Sequence, residues 1–110
     1  MTTIAIGDKY VEALKPFGSL EDAVNLALQR YTIEQVTAKI ADLRRKDAVY
    51  QAKYGMSYPV FAKRAGVDEA FVTVMEDTIS KTWEIDLADW EFCYQGVQDW
   101  MRKLQAILLT

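Results

Sequence analysis

The chain has 110 residues, 13 Lys/Arg against 16 Asp/Glu, and a formal net charge of −3. That is one domain's worth of polypeptide with a modest core, which its 51% apolar content suffices to build. The lack of any histidine removes Ser-His, Cys-His and His-ligated metal chemistry together, the five glycines are too scattered for a phosphate loop, and no enzyme, metal or cofactor is expected.

The first elements follow from local signals. Thr2-Thr3-Ile4-Ala5-Ile6 is a short β-type run that predicts a strand with Ile4 and Ile6 on one face. Gly7-Asp8 breaks it, and Asp8 caps a short helix, Lys9 to Lys15, with Val11 and Leu14 on its apolar side. Pro16-Phe17-Gly18 stops that helix. Ser19-Leu20-Glu21-Asp22 has a serine cap followed by acids, and a longer helix starts there with Leu20, Val24, Ala27 and Tyr31 along one face. At Thr32-Ile33-Glu34-Gln35 a second capping pattern appears and the stripe shifts to Ile33, Val36, Ile40 and Leu43. Either one helix ends and another begins there, or a single long helix bends. Gly55 is the natural stop. The cluster Arg44-Arg45-Lys46, flanked by Asp42 and Asp47, reads as a solvated face.

Ser57 and Pro59 open a short helix that should end near Ala65-Gly66. Asp68 caps Glu69 to about Thr78, although Phe71-Val72-Thr73-Val74 is β-branched enough for a strand. Ala62, Gly66-Val67 and Val72 have helix-turn-helix spacing. The second helix of that motif would carry Asp68, Glu69 and Glu76 and no base, so the match reads as a structural turn. Trp83-Glu84-Ile85 reads as extended, with Asp86 and Asp89 capping a last helix to about Leu108. From Trp83 through Leu87, Trp90, Tyr94, Val97, Met101 and Leu104 to Leu108 the steps alternate four and three, an apolar seam at heptad spacing. This seam needs a surface, in its own chain against Ile33–Leu43 or on another chain.

Residues 55–110 carry nine acids and five bases, against seven and eight in residues 1–54. The acidic half suits a basic partner. No stretch of about 18 uncharged apolar residues exists, the start carries no secretory signal pattern, and the single Cys93 forms no internal disulfide. A cytoplasmic setting is expected, with no membrane contact.

A five-residue strand is not stable alone; the same strand from a second chain would complete it. The order of Ile4 and Ile6, Val11 and Leu14, then Ser19-Leu20-Glu21-Asp22-Ala23-Val24 leading to Leu28 and Tyr31 resembles the ribbon-helix-helix fold. The resemblance implies a homodimer held by Ile4, Ile6, Leu20, Val24, Leu28 and Tyr31, and DNA contacts from Thr2, Thr3, Ala5 and Lys9. The outward strand face, Thr3, Ala5 and Gly7, lacks the charged and amide side chains usual there, which favours dimerisation over DNA reading. Lys53-Tyr54-Gly55-Met56-Ser57, followed by Phe61, Trp83-Glu84-Ile85-Asp86 and Asp89-Trp90-Glu91, looks like the C-terminal part of small prokaryotic antitoxins. That likeness implies a protein that binds and neutralises a small, basic toxin and represses its own operon.

The expected fold is therefore mainly α: a ribbon-helix-helix-like dimerisation region over residues 1–54, then a helical, acidic, aromatic-rich partner-binding region over 55–110 that ends in a long amphipathic helix. The expected toxin contacts are Trp83, Trp90, Trp100 and Met101 as anchors, with Glu84, Asp86, Asp89 and Glu91 supplying charge. Two other classes fit the same residues: a DNA-binding regulator with no protein partner, and a helical structural dimer.

Overall fold

The structure, a computed structural model, describes residues 3–109. These residues form five α-helices and one 3-10 turn: α1 (Asp8–Leu14), the turn (Lys15–Phe17), α2 (Leu20–Tyr54), α3 (Tyr58–Val67), α4 (Glu69–Thr78) and α5 (Trp83–Leu108). The chain divides into two compact units, Met1–Gln35 and Val36–Thr110, and α2 runs through the division.

The predicted N-terminal strand is not there, and the ribbon-helix-helix expectation falls with it. Residues 3–7 are irregular and exposed, and no strand occurs among the described residues. A β-type run of five residues has no ladder of its own, and no strand among the described residues pairs with residues 3–6. Asp8 does not cap the short helix: it is the first residue of α1, Gly7 stands at the boundary, and no side-chain cap bond forms there. The next signals act as read. Gly18 takes φ 110 after the 3-10 turn, and the Ser19 hydroxyl accepts from the Asp22 amide at 3.1 Å. In this first unit no residue from 3 to 35 is fully buried; Val11, Leu14, Leu20, Ala23 and Val24 are half-buried.

Thr32 does not start a new helix. Its hydroxyl donates back to the Leu28 carbonyl at 2.7 Å, the back-bonding open to a threonine inside a helix. α2 is thus one element of 35 residues. Val36, Ile40 and Leu43 of its second stripe are buried, whereas Leu20 and Val24 of the first are half-buried and Tyr31 is exposed.

The second unit is an antiparallel helix pair closed at one end by α3 and α4. Leu43 lies against Gly96, Asp47 bonds Trp90, Tyr50 bonds Asp89 and Lys53 bonds Asp86, so positions rise along α2 as they fall along α5. Val36, Ile40 and Leu43 bury against Cys93 and Val97, with Trp100, Met101 and Leu104 at the margin. The apolar seam of α5 therefore folds back within its own chain. Gly96 sets the spacing: a Cβ there would stand 2.8 Å from Leu43 Cδ1.

Gly55, at φ 73, ends α2 in the left-handed region. Pro59 sits in the first turn of α3, where its missing N–H costs nothing. The Asp68 carboxylate accepts from the Phe71 amide at 3.0 Å and starts α4, so the ambiguous Phe71–Val74 stretch is helical. Gly66 lies inside α3 and the break falls at Asp68. Trp83-Glu84-Ile85, expected to be extended, is the first turn of α5, with Thr82 rather than Asp86 at its N-terminal boundary. Among the described residues no helix is long and apolar enough to cross a membrane.

Candidate functional site

The eight residues expected to meet a partner lie on α5, and the helix turns them to different sides. Trp90 is fully buried. Its ring stacks on Tyr50 and Tyr54, with centroids 5.7 and 5.8 Å away, and meets Phe61 at 5.3 Å and the edge of Tyr58 at 5.6 Å. Its indole N–H donates to Asp47 Oδ1 at 2.6 Å, so the one polar group it takes into the core is satisfied. Met75 and Phe61 close the other side of this cluster. In this fold Trp90 is the keystone of an aromatic core and has no surface to offer.

Trp83 is half-buried, with its edge toward Phe61 and its N–H donated to Glu76 Oε1 at 2.8 Å. Trp100 and Met101 are half-buried against the Val36–Leu43 stripe. The Lys103 ammonium sits over the Trp100 ring at 4.3 Å, and an Arg44 N–H approaches Met101 Sδ at 3.3 Å.

The acids divide likewise. Asp86 accepts from Lys53 Nζ at 2.5 Å and from the Tyr54 hydroxyl. Burial alone would raise its pKa, but these two donors outweigh burial and hold it below the usual carboxylate range. The Tyr54 hydroxyl is pushed up by burial and by its bond to Asp86. Asp89 accepts from the Tyr50 hydroxyl at 2.5 Å, which raises the Tyr50 pKa in turn. Asp86 and Asp89 thus fasten α5 to the end of α2. Glu84 and Glu91 are exposed.

Exposed beside them are two residues that the heptad seam had hidden. Ile85 is 70% exposed and Phe92 is 65% exposed. Each directly follows one of the exposed glutamates, so Glu84-Ile85 and Glu91-Phe92 repeat one heptad apart. In a helix that repeat places them on one side, about 10 Å from each other. Phe92 is two positions from Trp90, about 200° around the helix, and so faces away from the core. The signal was in the sequence: two large apolar residues off the seam, seven apart, each next to an acid.

The N-terminal expectations are placed as follows. Thr2 lies outside the described residues. Thr3 and Ala5 are exposed on irregular chain, and Lys9, on α1, sits over the Tyr10 ring at 5.0 Å. Without a strand they form no DNA-reading ribbon. Ile4, Ile6, Leu28 and Tyr31 are exposed, and Leu20 and Val24 are half-buried.

Cys93 is buried, and burial, with Asp89 nearby, pushes its thiol pKa up, the opposite of an activated thiolate. Among the described residues no group of three or more Asp, Glu or Cys side chains is placed to hold a metal ion. A groove of about 560 Å³ beside Met101 and Leu104 has Arg44 and Arg45 in its wall; it is mostly apolar and holds no acid–base pair. No protein-family model, curated protein or solved structure matches the chain.

Proposed function

We propose that this chain is a non-enzymatic binding protein of the antitoxin kind, which neutralises a small basic protein by covering it with the outer face of α5. The observation that carries the reading is the exposed repeat Glu84-Ile85 and Glu91-Phe92. Two apolar anchors set among carboxylates suit a partner with apolar pockets in a cationic surface. Each anchor offers about 1.5–3 kcal/mol when buried. The excess of acids over residues 55–110 adds long-range attraction for such a partner. Relative to the sequence expectation the anchors move, from Trp90 on the inner side of the helix to Ile85 and Phe92 on the outer side.

The test is co-expression with the neighbouring reading frame. A neighbour that is toxic alone should become harmless with this chain present and co-purify with it. Ile85→Asp with Phe92→Asp should abolish rescue while tryptophan fluorescence stays native, because neither side chain belongs to the core. A neighbour that remains toxic beside the wild-type chain would sink the proposal.

A further inference from the structure

The first unit carries an interface pattern that complements itself. Leu14 and Phe17 from α1 and the 3-10 turn, with Ala23, Leu26, Ala27 and Arg30 from α2, line a groove of about 330 Å³. Phe17 is 77% exposed and Leu26 49%. Asp22, Leu26 and Arg30 follow one another at four-residue steps, so they form one ridge of the helix with an acid at one end and a base at the other. Each charge lies about 6 Å along the axis from Leu26. Among the described residues neither the Asp22 carboxylate nor the Arg30 guanidinium has a salt-bridge partner within the chain.

We infer that this ridge pairs with the same ridge of a second copy, antiparallel, about a twofold axis at Leu26. The axis places Asp22 of each copy level with Arg30 of the other, giving two cross-chain ion pairs around a central Leu26–Leu26 contact. A parallel pairing would set Asp22 on Asp22 and Arg30 on Arg30, and is rejected by charge. In the antiparallel register Ala23 meets Gln29 and Ala27 meets Asn25, so no like charges oppose each other. The small residues Ala23 and Ala27 beside Leu26 let the two helices approach closely. Phe17 and Leu14, at the groove wall, then gain an apolar neighbour that their own unit does not supply. A dissimilar partner would match this register only by coincidence, whereas a second copy matches it by symmetry. The pairing uses no residue of the acidic α5 face, so its failure would leave the proposed function untouched.

Sedimentation equilibrium of the full chain between about 1 and 100 µM, at low and high salt, tests the pairing. A dimer that loosens with salt is expected. Asp22→Arg and Arg30→Asp should each weaken it about tenfold or more, since each change acts twice in the dimer. The double variant, with the charges exchanged, should recover most of the lost affinity. Leu26→Glu should leave a monomer with native tryptophan fluorescence, because Leu26 is exposed in the single chain and remote in sequence from every tryptophan. Leu28→Glu, about 200° around the helix, should leave the dimer intact. A wild-type monomer throughout the range would overturn the inference. So would a double variant no tighter than the singles, or dissociation by Leu28→Glu but not by Leu26→Glu.

Discussion

Among the described residues, the unit Val36–Thr110 holds all nine buried apolar side chains and the unit Met1–Gln35 holds none. Both have ample apolar residues, so composition is not what separates them. In the C-terminal unit two long helices and a helical hairpin supply facing stripes, and the rings of Tyr50, Tyr54, Tyr58, Phe61 and Trp90 pack on one another. In the N-terminal unit α1 is a helix of seven residues, too short to cover the side of α2 beside it. Apolar residues become a core only when a second element of comparable length faces them. Where it does not, they remain a surface in search of a partner.

Trp90→Ala should separate the two units most sharply. It removes the residue around which Tyr50, Tyr54, Tyr58 and Phe61 are arranged and takes from the Asp47 carboxylate one of its two side-chain donors, leaving Gln51, so a loss of about 3–5 kcal/mol is expected, measured by urea denaturation followed by fluorescence. Leu20→Ala, in the other unit, should cost under about 1 kcal/mol, in line with partial burial, followed by far-ultraviolet ellipticity because that unit contains no tryptophan; equal costs would mean that the units do not differ as described.

Gln35→Pro breaks α2 at the division. A proline inside a helix costs about 3 kcal/mol or more locally. Far-ultraviolet ellipticity should fall by the share of the first unit. The fluorescence of Trp83, Trp90 and Trp100, all in the second unit, should keep a native transition. Joint loss of both signals would show that the units stand or fall together.

A smaller effect is expected at the clasp between α2 and α5. Asp86→Asn weakens the acceptor shared by Lys53 and Tyr54 and should cost about 1–2 kcal/mol. The wild-type clasp also fixes a pH response. The folded pKa of Asp86 is lowered, so its contribution is present above the unfolded carboxylate pKa and is lost as pH falls through and below that range. The Tyr54 and Tyr50 hydroxyls are raised, so their contribution is complete below the ordinary tyrosine pKa of about 10 and is lost as pH climbs beyond it. Denaturation midpoints should therefore drop at both extremes, and Asp86→Asn should flatten the acid limb.

Gly96→Ala should have a small net effect. The new Cβ crowds Leu43 Cδ1, an overpacking cost of about 1–3 kcal/mol, while alanine in place of a helical glycine returns about 1 kcal/mol. A net loss of about 1 kcal/mol is expected, and Leu43→Val in the same chain should recover part of it.

What the sequence made legible was mostly local. Ser19, Asp68, Gly18 and Gly55 mark boundaries through hydrogen bonds and backbone angles confined to a few residues, and the structure uses them that way. The heptad steps of α5 were equally plain, and the helix ends at Leu108 as read. The strand failed because a β-type run acquires structure only from a partner, which its own residues do not specify. Thr32 left two readings open because a threonine can cap a helix or bond back within one, and the structure takes the second. Trp90 misled for a chemical reason: large aromatic residues serve cores and interfaces equally well, and only the fold decides which side of α5 meets Tyr54 and Phe61. Once that side is known, Ile85 and Phe92 stand out as the pair left over.

The continuity of α2 has a further consequence for how the first unit becomes ordered. An isolated helix must pay for its first turn, with a nucleation constant near 10⁻³, about 4 kcal/mol. Residues 20–35 do not pay it, because residues 36–54 are already held helical by α5 and the helix only has to lengthen, as a crystal grows from a seed. The shape of the exposed ridge is thus seeded by the part of α2 that the second unit holds helical. Loosening the core of that unit would melt the ridge without altering one of its residues.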